Sequence, residues 1–132
     1  MHPNAELYRR LTAAFQTGDF DAVGRGQAVD VQWEEAGEPM VVDGRDAVLR
    51  RMTGAIAHVE ARINVHDVLA DDEHVVAMLN VSLRGPDGSE LLYPAVEIAH
   101  MSDGRVTERS SFMDSCPPEV DAFFSDHSSR SG

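Results

Sequence analysis

Past Glu60 the chain is punctuated by three turn signals at nearly even spacing: ADDE at 70–73, GPDG at 85–88 and SDG at 102–104. Clusters of Gly, Pro, Asp and Ser supply the backbone angles and local side-chain hydrogen bonds of tight turns, so they break the chain into short runs. The runs between them predict four strands, at about 62–69, 74–84, 90–100 and 105–113, joined as antiparallel hairpins. A meander of this length has one face to bury. Ala77, Leu79, Val81 and Leu83 are expected on that face from one strand, and Leu92, Val96 and Ile98 from the next. Tyr93 and Glu97 have the opposite parity to Val96 and are expected on the convex side, in a contact between copies.

The first half of the chain supplies the cover. Over 4–17 the residues Tyr8, Leu11 and Phe15, with Leu7 beside them, follow helical spacing, and Gly18 ends the run. GDFDAVGRG, at 18–26, reads as a helical turn with Phe20 and Val23 on one side and Gly24 and Gly26 at its end. A second long helix is predicted over 45–59, with Val48, Met52, Ile56 and Val59 as its apolar stripe and Asp43 or Asp46 favourably placed at the positive end of its dipole. Between the helices lies an opening strand at about 28–35, closed by the turn AGEP. Its alternation puts Val29, Val31 and Trp33 on one face, and the next residue of that face is Glu35. A carboxylate facing a core is costly unless it has a partner or a task. Glu35 therefore either meets water at the strand end or sits in a cavity as a functional acid.

Helices first and a meander afterwards predict an α+β domain in which N-terminal helices pack on the concave face of a curved antiparallel sheet. The 132 residues suit one domain, expected over 1–124, with CPPEVDAFF as a short capping piece and the serine-rich SDHSSRSG at 125–132 as a flexible tail. A formal charge of -12 opposes binding to a phosphate backbone, which sets nucleic acid aside. No apolar stretch approaches the roughly 20 residues of a membrane span, and the N-terminus has no apolar signal region, so a cytoplasmic protein is expected. The one cysteine, Cys116, has no internal disulfide partner and reads as inert.

Phosphate-binding loops, dinucleotide glycine fingerprints, nucleophile elbows and paired metal-spaced histidines or cysteines are all missing from the sequence. The six histidines are scattered singly, and His66 and Asp67, adjacent on a strand, point to opposite faces. No metal and no cofactor are expected.

The ordered set of a tyrosine-bearing first helix, TGDFDAV, VDVQWEE, VDGRDAV and DGRVTE resembles the nuclear transport factor 2-like superfamily, in its SnoaL-like and ketosteroid isomerase-like branch. The resemblance covers about residues 4–114. It implies a cone-shaped cavity between sheet and helices, a homodimer, and a hydrophobic small-molecule ligand. The superfamily's members include isomerases, polyketide cyclases, epoxide hydrolases, dehydratases and proteins without known chemistry, so fold does not name the reaction. Aligned without gaps on the glycine of VDGRDAV, Glu35 falls where ketosteroid isomerases keep their proton-shuttling carboxylate; a one-residue gap would give that role to Glu34.

The other positions depart from the isomerase pattern. The first-helix tyrosine of those enzymes matches Leu11 here, with Tyr8 one turn earlier, and their neutral second acid falls near Pro94. The oxyanion hole of ketosteroid isomerases needs both groups. The resemblance thus implies a cofactor-independent isomerase, cyclase or related hydratase or dehydratase other than a ketosteroid isomerase. The catalytic candidates are Glu35 as base, Arg109 and Tyr8 to steady a developing negative oxygen, and Asp114 as a base at the pocket rim. Trp33, Phe15, Met78, Val96, Ser111 and Met113 are the candidate substrate-binding residues. The alternative is a noncatalytic ligand-binding or dimerisation domain in which Glu35 and Arg109 form a buried pair.

Overall fold

The computed structural model describes residues 1–35, 41–55 and 57–113, with the side chains of Glu35, Ala55 and Met113 outside that description. Helix α1 (Pro3–Thr17) begins with Pro3, whose fixed φ suits a first helical position, and His2 caps it by accepting from the Asn4 N–H. It ends at Gly18, whose left-handed φ of 80° lets its own N–H reach the carbonyls of Ala14 and Phe15. Asp19 caps the short α2 (Phe20–Arg25) through the Ala22 N–H. Gly26 follows, packed so closely under Leu11 that a Cβ there would force the leucine side chain to shift.

Strand β1 (Gln27–Glu35), the three-residue β2 (Val41–Asp43) and helix α3 (Arg45–Ala55) come next, and then the meander of β3 (Glu60–Ala70), β4 (His74–Arg84), β5 (Glu90–Ser102) and β6 (Arg105–Met113). The sheet order is β2-β1-β6-β5-β4-β3. The architecture is α+β with a curved, unclosed sheet, but the sheet is mixed, whereas an antiparallel one was expected. β1 lies parallel to β6, with Trp33 opposite Arg109 and Glu35 opposite Ser111. The connection between them contains a helix and four strands, far more than the dozen or so residues a parallel crossover needs. β2 pairs with the other edge of β1, Trp33 facing Val42, in a stretch too short to show periodicity.

α1 lies over β3 and β4, and α3 over β1 and β2. The core between them holds Tyr8, Val23, Val31, Val48, Met52, Val75, Ala77, Leu83, Ala99 and Val106. Val48 and Met52 supply the expected stripe of α3, which ends at Ala55; Ile56 lies outside the described residues, and Val59 is buried in the segment leading to β3. The turn AGEP, the CPPEVDAFF segment and the tail at 125–132 also lie outside the described residues, and with them the expected boundary at 124. The free edge of β3 is covered by a side chain: Gln16 on α1 donates from Nε2 to the Ile63 carbonyl at 3.0 Å and accepts the Ile63 N–H at 2.9 Å. That amide imitates a neighbouring strand for one residue, which blunts an edge otherwise open to pairing.

Two facing expectations are corrected. β1 advances five residues, from Gln27 to Gln32, while β6 advances two, from Val106 to Glu108. This bulge turns Val29 outward, 71% exposed, and leaves Gln27 and Val31 fully buried. On β5 the expected faces are exchanged. Leu92 and Val96, with Phe112 of β6, are exposed on the outer side, whereas Glu97, Ala99 and Met101 are buried with the inward residues of β4. The cause is register: Ala77 stands directly opposite Glu97, Val75 opposite Ala99, and directly opposed residues share a face.

Candidate functional site

Two adjacent rows cross the inner face of the sheet. One runs Ala77, Glu97, Ser111, and the other Val75, Ala99, Arg109, Trp33. The alanines are small, which leaves room above the sheet for longer side chains and for Tyr8, descending from α1. Tyr8 Oη donates to Glu97 Oε1 at 2.7 Å, and Arg109 Nη2 donates to the same oxygen at 2.5 Å. Ser111 Oγ donates to Glu97 Oε2 at 3.1 Å and in turn accepts from Trp33 Nε1 at 3.0 Å. Behind Arg109 lies Gln27, with no exposed surface; its Nε2 donates to the Val23 carbonyl at 3.3 Å, and its Oε1 stands at a long 3.5 Å from Arg109 Nη1.

The electrostatics of the group are set by mutual compensation. Burial pushes the Glu97 carboxyl up, but the charge and hydrogen bond of Arg109, with those of Tyr8 and Ser111, outweigh it and hold the acid below its ordinary value. Burial works against the Arg109 cation too, and Glu97 more than offsets it. Tyr8 is driven far upward, first by burial and then by the neighbouring carboxylate, with Arg109 opposing in part. At neutral pH the group is therefore an ionised acid, a cation and a neutral phenol. Glu97 is a weak base with both oxygens engaged. Its chemical effect is to orient one cationic and one neutral donor inside the fold.

Of the sequence candidates, Tyr8, Arg109, Ser111 and Trp33 are brought together here. The anticipated partner of Arg109 was Glu35, and Glu97 holds that place. The side chains of Glu35 and Met113, and all of Asp114, lie outside the described residues. Glu34 is exposed, between Val41 and Ser110, so the gapped alternative puts the acid in solvent. Met78 and Val96 do not line the interior; they face each other across the outer side of the sheet, for the register reason given above. Phe15 is half-buried and packs edge-on against Phe20, ring centroids 6.1 Å apart, outside the polar group. Tyr93, expected on the convex surface, packs against the core. Glu97 and Gln27 were not foreseen. Among the described residues no three His, Cys, Asp or Glu side chains are grouped to hold a metal ion, and no helix is long and apolar enough to cross a membrane.

A buried hydrogen bond to a charged group contributes about 1.5–3 kcal/mol. Tyr8→Phe is expected to lose about that much stability, measured by urea unfolding. Because the phenol stays protonated through the working range, the loss should be the same at pH values of about 7 and about 9; a loss that vanished at the higher pH would contradict the assignment.

The family model for the SnoaL-like domain matches residues 8–109, from the tyrosine to the arginine of this group. The chain belongs to the SnoaL-like family, within the nuclear transport factor 2-like superfamily. No curated protein matches significantly. Among solved structures, an LEH-like epoxide hydrolase of M. tuberculosis superposes with a TM-score of 0.77 at 17% identity, over 94% of this chain and 90% of its own. SalBIII, an epoxide hydrolase/cyclase-like enzyme with a role in pyran ring formation in the polyether salinomycin, gives 0.75 at 18% identity, over 83% and 89%. A protein with a ketosteroid isomerase-like fold from Catenulispora acidiphila, in complex with trimethylamine, gives 0.73 at 13% identity, over 84% and 85%. At these identities the likeness is one of fold, and this SnoaL-like chain shares its frame with proteins of several chemistries.

Proposed function

We propose that this SnoaL-like protein is a cofactor-independent enzyme that isomerises, cyclises, hydrates or dehydrates a hydrophobic small molecule of polyketide or terpenoid type by general acid-base catalysis. The observation that carries the reading is the interior Arg109, fixed by the ionised Glu97 with Tyr8 beside it and keeping N–H groups that Glu97 does not engage. Oriented donors of this kind can steady a negative charge developing on a substrate oxygen. Trp33 shapes the binding surface, and Glu35, whose main chain is paired with Ser111, takes the proton. The test is a turnover screen of hydrophobic oxygenated compounds on the native chain and on Glu35→Gln. Turnover that disappears in the variant supports the reading; a ligand that binds both chains and is changed by neither overturns it.

One observation favours the second reading, a noncatalytic binding or dimerisation domain. Both oxygens of Glu97 are already occupied, as a purely structural buried pair would have them. Expected with Glu35 as the partner of Arg109, this reading stands with Glu97 in that place.

A cytoplasmic homodimer is part of the proposal. Leu92, Val96 and Phe112 expose a continuous apolar strip on the outer face, beside an open groove of about 410 Å³ lined by Arg62, Asn64, Asn80, Ser82 and Pro94 among others. Exposed apolar faces of this kind mark association surfaces. Light scattering should give twice the chain mass for the native protein and a smaller mass for Val96→Glu; a native monomer at micromolar concentration would refute the dimer.

A further inference from the structure

On the outer face of the sheet, at the end next to the β3–β4 turn, two histidines stand side by side. His74 of β4 lies directly opposite His100 of β5, and Glu108 of β6 continues the same row. The Met101 N–H bonds the Glu73 carbonyl at 2.7 Å, which makes His74 and His100 a non-hydrogen-bonded pair. Opposed side chains are closest at such a pair, with Cα atoms about 4.5 Å apart. The ring centroids are 5.0 Å apart and the ring planes meet at 66°. Each ring is also turned toward a carboxylate. His74 Nδ1 lies 3.1 Å from Asp71 Oδ1, and Asp71 is itself fixed by accepting the Glu73 and His74 N–H groups at 2.9 and 2.7 Å. His100 Nε2 lies 3.7 Å from Glu108 Oε2. A carboxylate only accepts, so the proton of each neutral ring is drawn to the nitrogen facing it. His74 Nε2 and His100 Nδ1 then keep their lone pairs, and both side chains are 45% exposed.

We propose that His74 and His100 form a binding site for an imidazole-preferring divalent metal ion, zinc or copper, with Asp71 and Glu108 orienting the two rings and water completing the coordination. The spacing fits. A metal holds imidazole nitrogens at about 2.0–2.1 Å, which puts each ring centroid about 3.2 Å from it and two rings at a near-tetrahedral angle about 5 Å apart. The remaining adjustment is a turn of one ring about its χ2, a broad torsion in histidine, and His100, with the longer carboxylate contact, is the freer of the two. A carboxylate behind each ring is the usual arrangement at a histidine metal ligand, where it fixes the tautomer and raises the basicity of the free nitrogen. The ladder between β5 and β6 also shifts register between His100 and Met101, and such bulges re-aim side chains and recur beside functional sites. Nitrogen donors select against magnesium and calcium, which take oxygen. The formal charge of -12 favours the approach of any cation. The pair lies four residues along β5 from Val96, about 13 Å beyond the exposed apolar strip, and on the opposite side of the sheet from Arg109. The site therefore stands apart from both the dimer surface and the small-molecule reading.

The test titrates the untagged, isotope-labelled native chain with zinc chloride and, separately, with magnesium chloride, by calorimetry and by NMR of the histidine ring nitrogens. Zinc is expected to bind once per chain and at least about a hundredfold more tightly than magnesium. The ring resonances of His74 and His100 should move while those of His58 and His66 stay in place. His74→Gln and His100→Gln should each weaken zinc binding at least about tenfold, because either change reduces a chelate to a single ligand. Asp71→Asn keeps an acceptor for the Glu73 and His74 N–H groups and removes the carboxylate, so it should weaken zinc about tenfold while the metal-free chain unfolds at the native temperature. No binding at about millimolar zinc, zinc no tighter than magnesium, or zinc affinity that survives loss of either histidine overturns the proposal. Should a variant fail to fold, the native ring resonances decide: zinc that binds without moving them overturns the site.

Discussion

Arg109→Met is expected to lower folding stability by about 3–5 kcal/mol at neutral pH, the usual consequence of stranding a buried charge. The side chain removed is of similar length and its packing is largely replaced, so the loss is due to Glu97. Without the guanidinium, burial, the largest influence on that carboxyl, is opposed only by the hydrogen bonds from Tyr8 and Ser111 and pushes it upward, where in the native chain Arg109 holds it down. The two proteins should therefore respond to acid in opposite senses. In the native chain the folded acid titrates below its unfolded value, so its stabilisation is present above a pH of about 4.5 and is lost as pH falls through the lower folded value. In the variant the folded acid titrates above its unfolded value, and the deficit should shrink as pH falls from about 7 toward about 4. Denaturant unfolding across that range checks both slopes. The double change Glu97→Leu with Arg109→Met should recover most of the loss, because an apolar replacement removes both desolvation penalties together. A single variant with no more than about 1 kcal/mol of damage at neutral pH would mean that the pair is solvated and the interior group is not dry.

How far this group could be read from the sequence depends on one strand. The run ELLYPAVEIAHMS is apolar at both parities, so alternation alone does not choose its buried face, and the larger side chains Leu92, Val96 and Ile98 draw the eye to the wrong one. The information lay in the hairpin instead. Arg84 and Glu90 flank the GPDG turn and are paired at 2.6 Å, and each step inward from them matches Leu83 with Leu91 and finally Ala77 with Glu97. Ala77 and Leu83 were legible as inward residues, so the same count would have put Glu97 beside them. Gln27 had no such signal. It is buried because β1 bulges against β6, and a bulge leaves no mark in the spacing of apolar residues. The parallel pairing of β1 with β6 and the short β2 are equally silent, since each is set by partners distant in the chain. The helices, by contrast, were fixed by local chemistry: Tyr8 and Leu11 at helical spacing, Gly18 as a stop, Asp19 as a cap. The family resemblance reached the right fold from these local pieces, and with the fold the inward placement of Arg109 and Ser111.

The largest functional effect is expected from Glu35→Gln, a loss of about 10²–10⁴-fold in turnover, the range of a removed general base. The comparison that gives this number meaning is with Glu97→Gln. Changing Glu97 alone is expected to destabilise the fold, because Arg109, Tyr8 and Ser111 all donate to it. Its replacement should therefore cost activity and stability together, with part of any lost rate traceable to misplaced donors. These three donors are directed at Glu97, so the amide variant of Glu35 should lose rate while unfolding at the same denaturant concentration as the native chain. The kinetic form of the loss separates the roles further. A base acts in the transition state and its removal lowers kcat with little change in KM, whereas loosening Arg109 weakens the grip on substrate and raises KM as well. If Glu35→Gln retains native turnover while Glu97→Gln abolishes it in a chain that still folds, the proton passes through Glu97. Arg109 would then have to release an oxygen of Glu97 during the reaction, and the strand-end acid would be no more than the end of a strand.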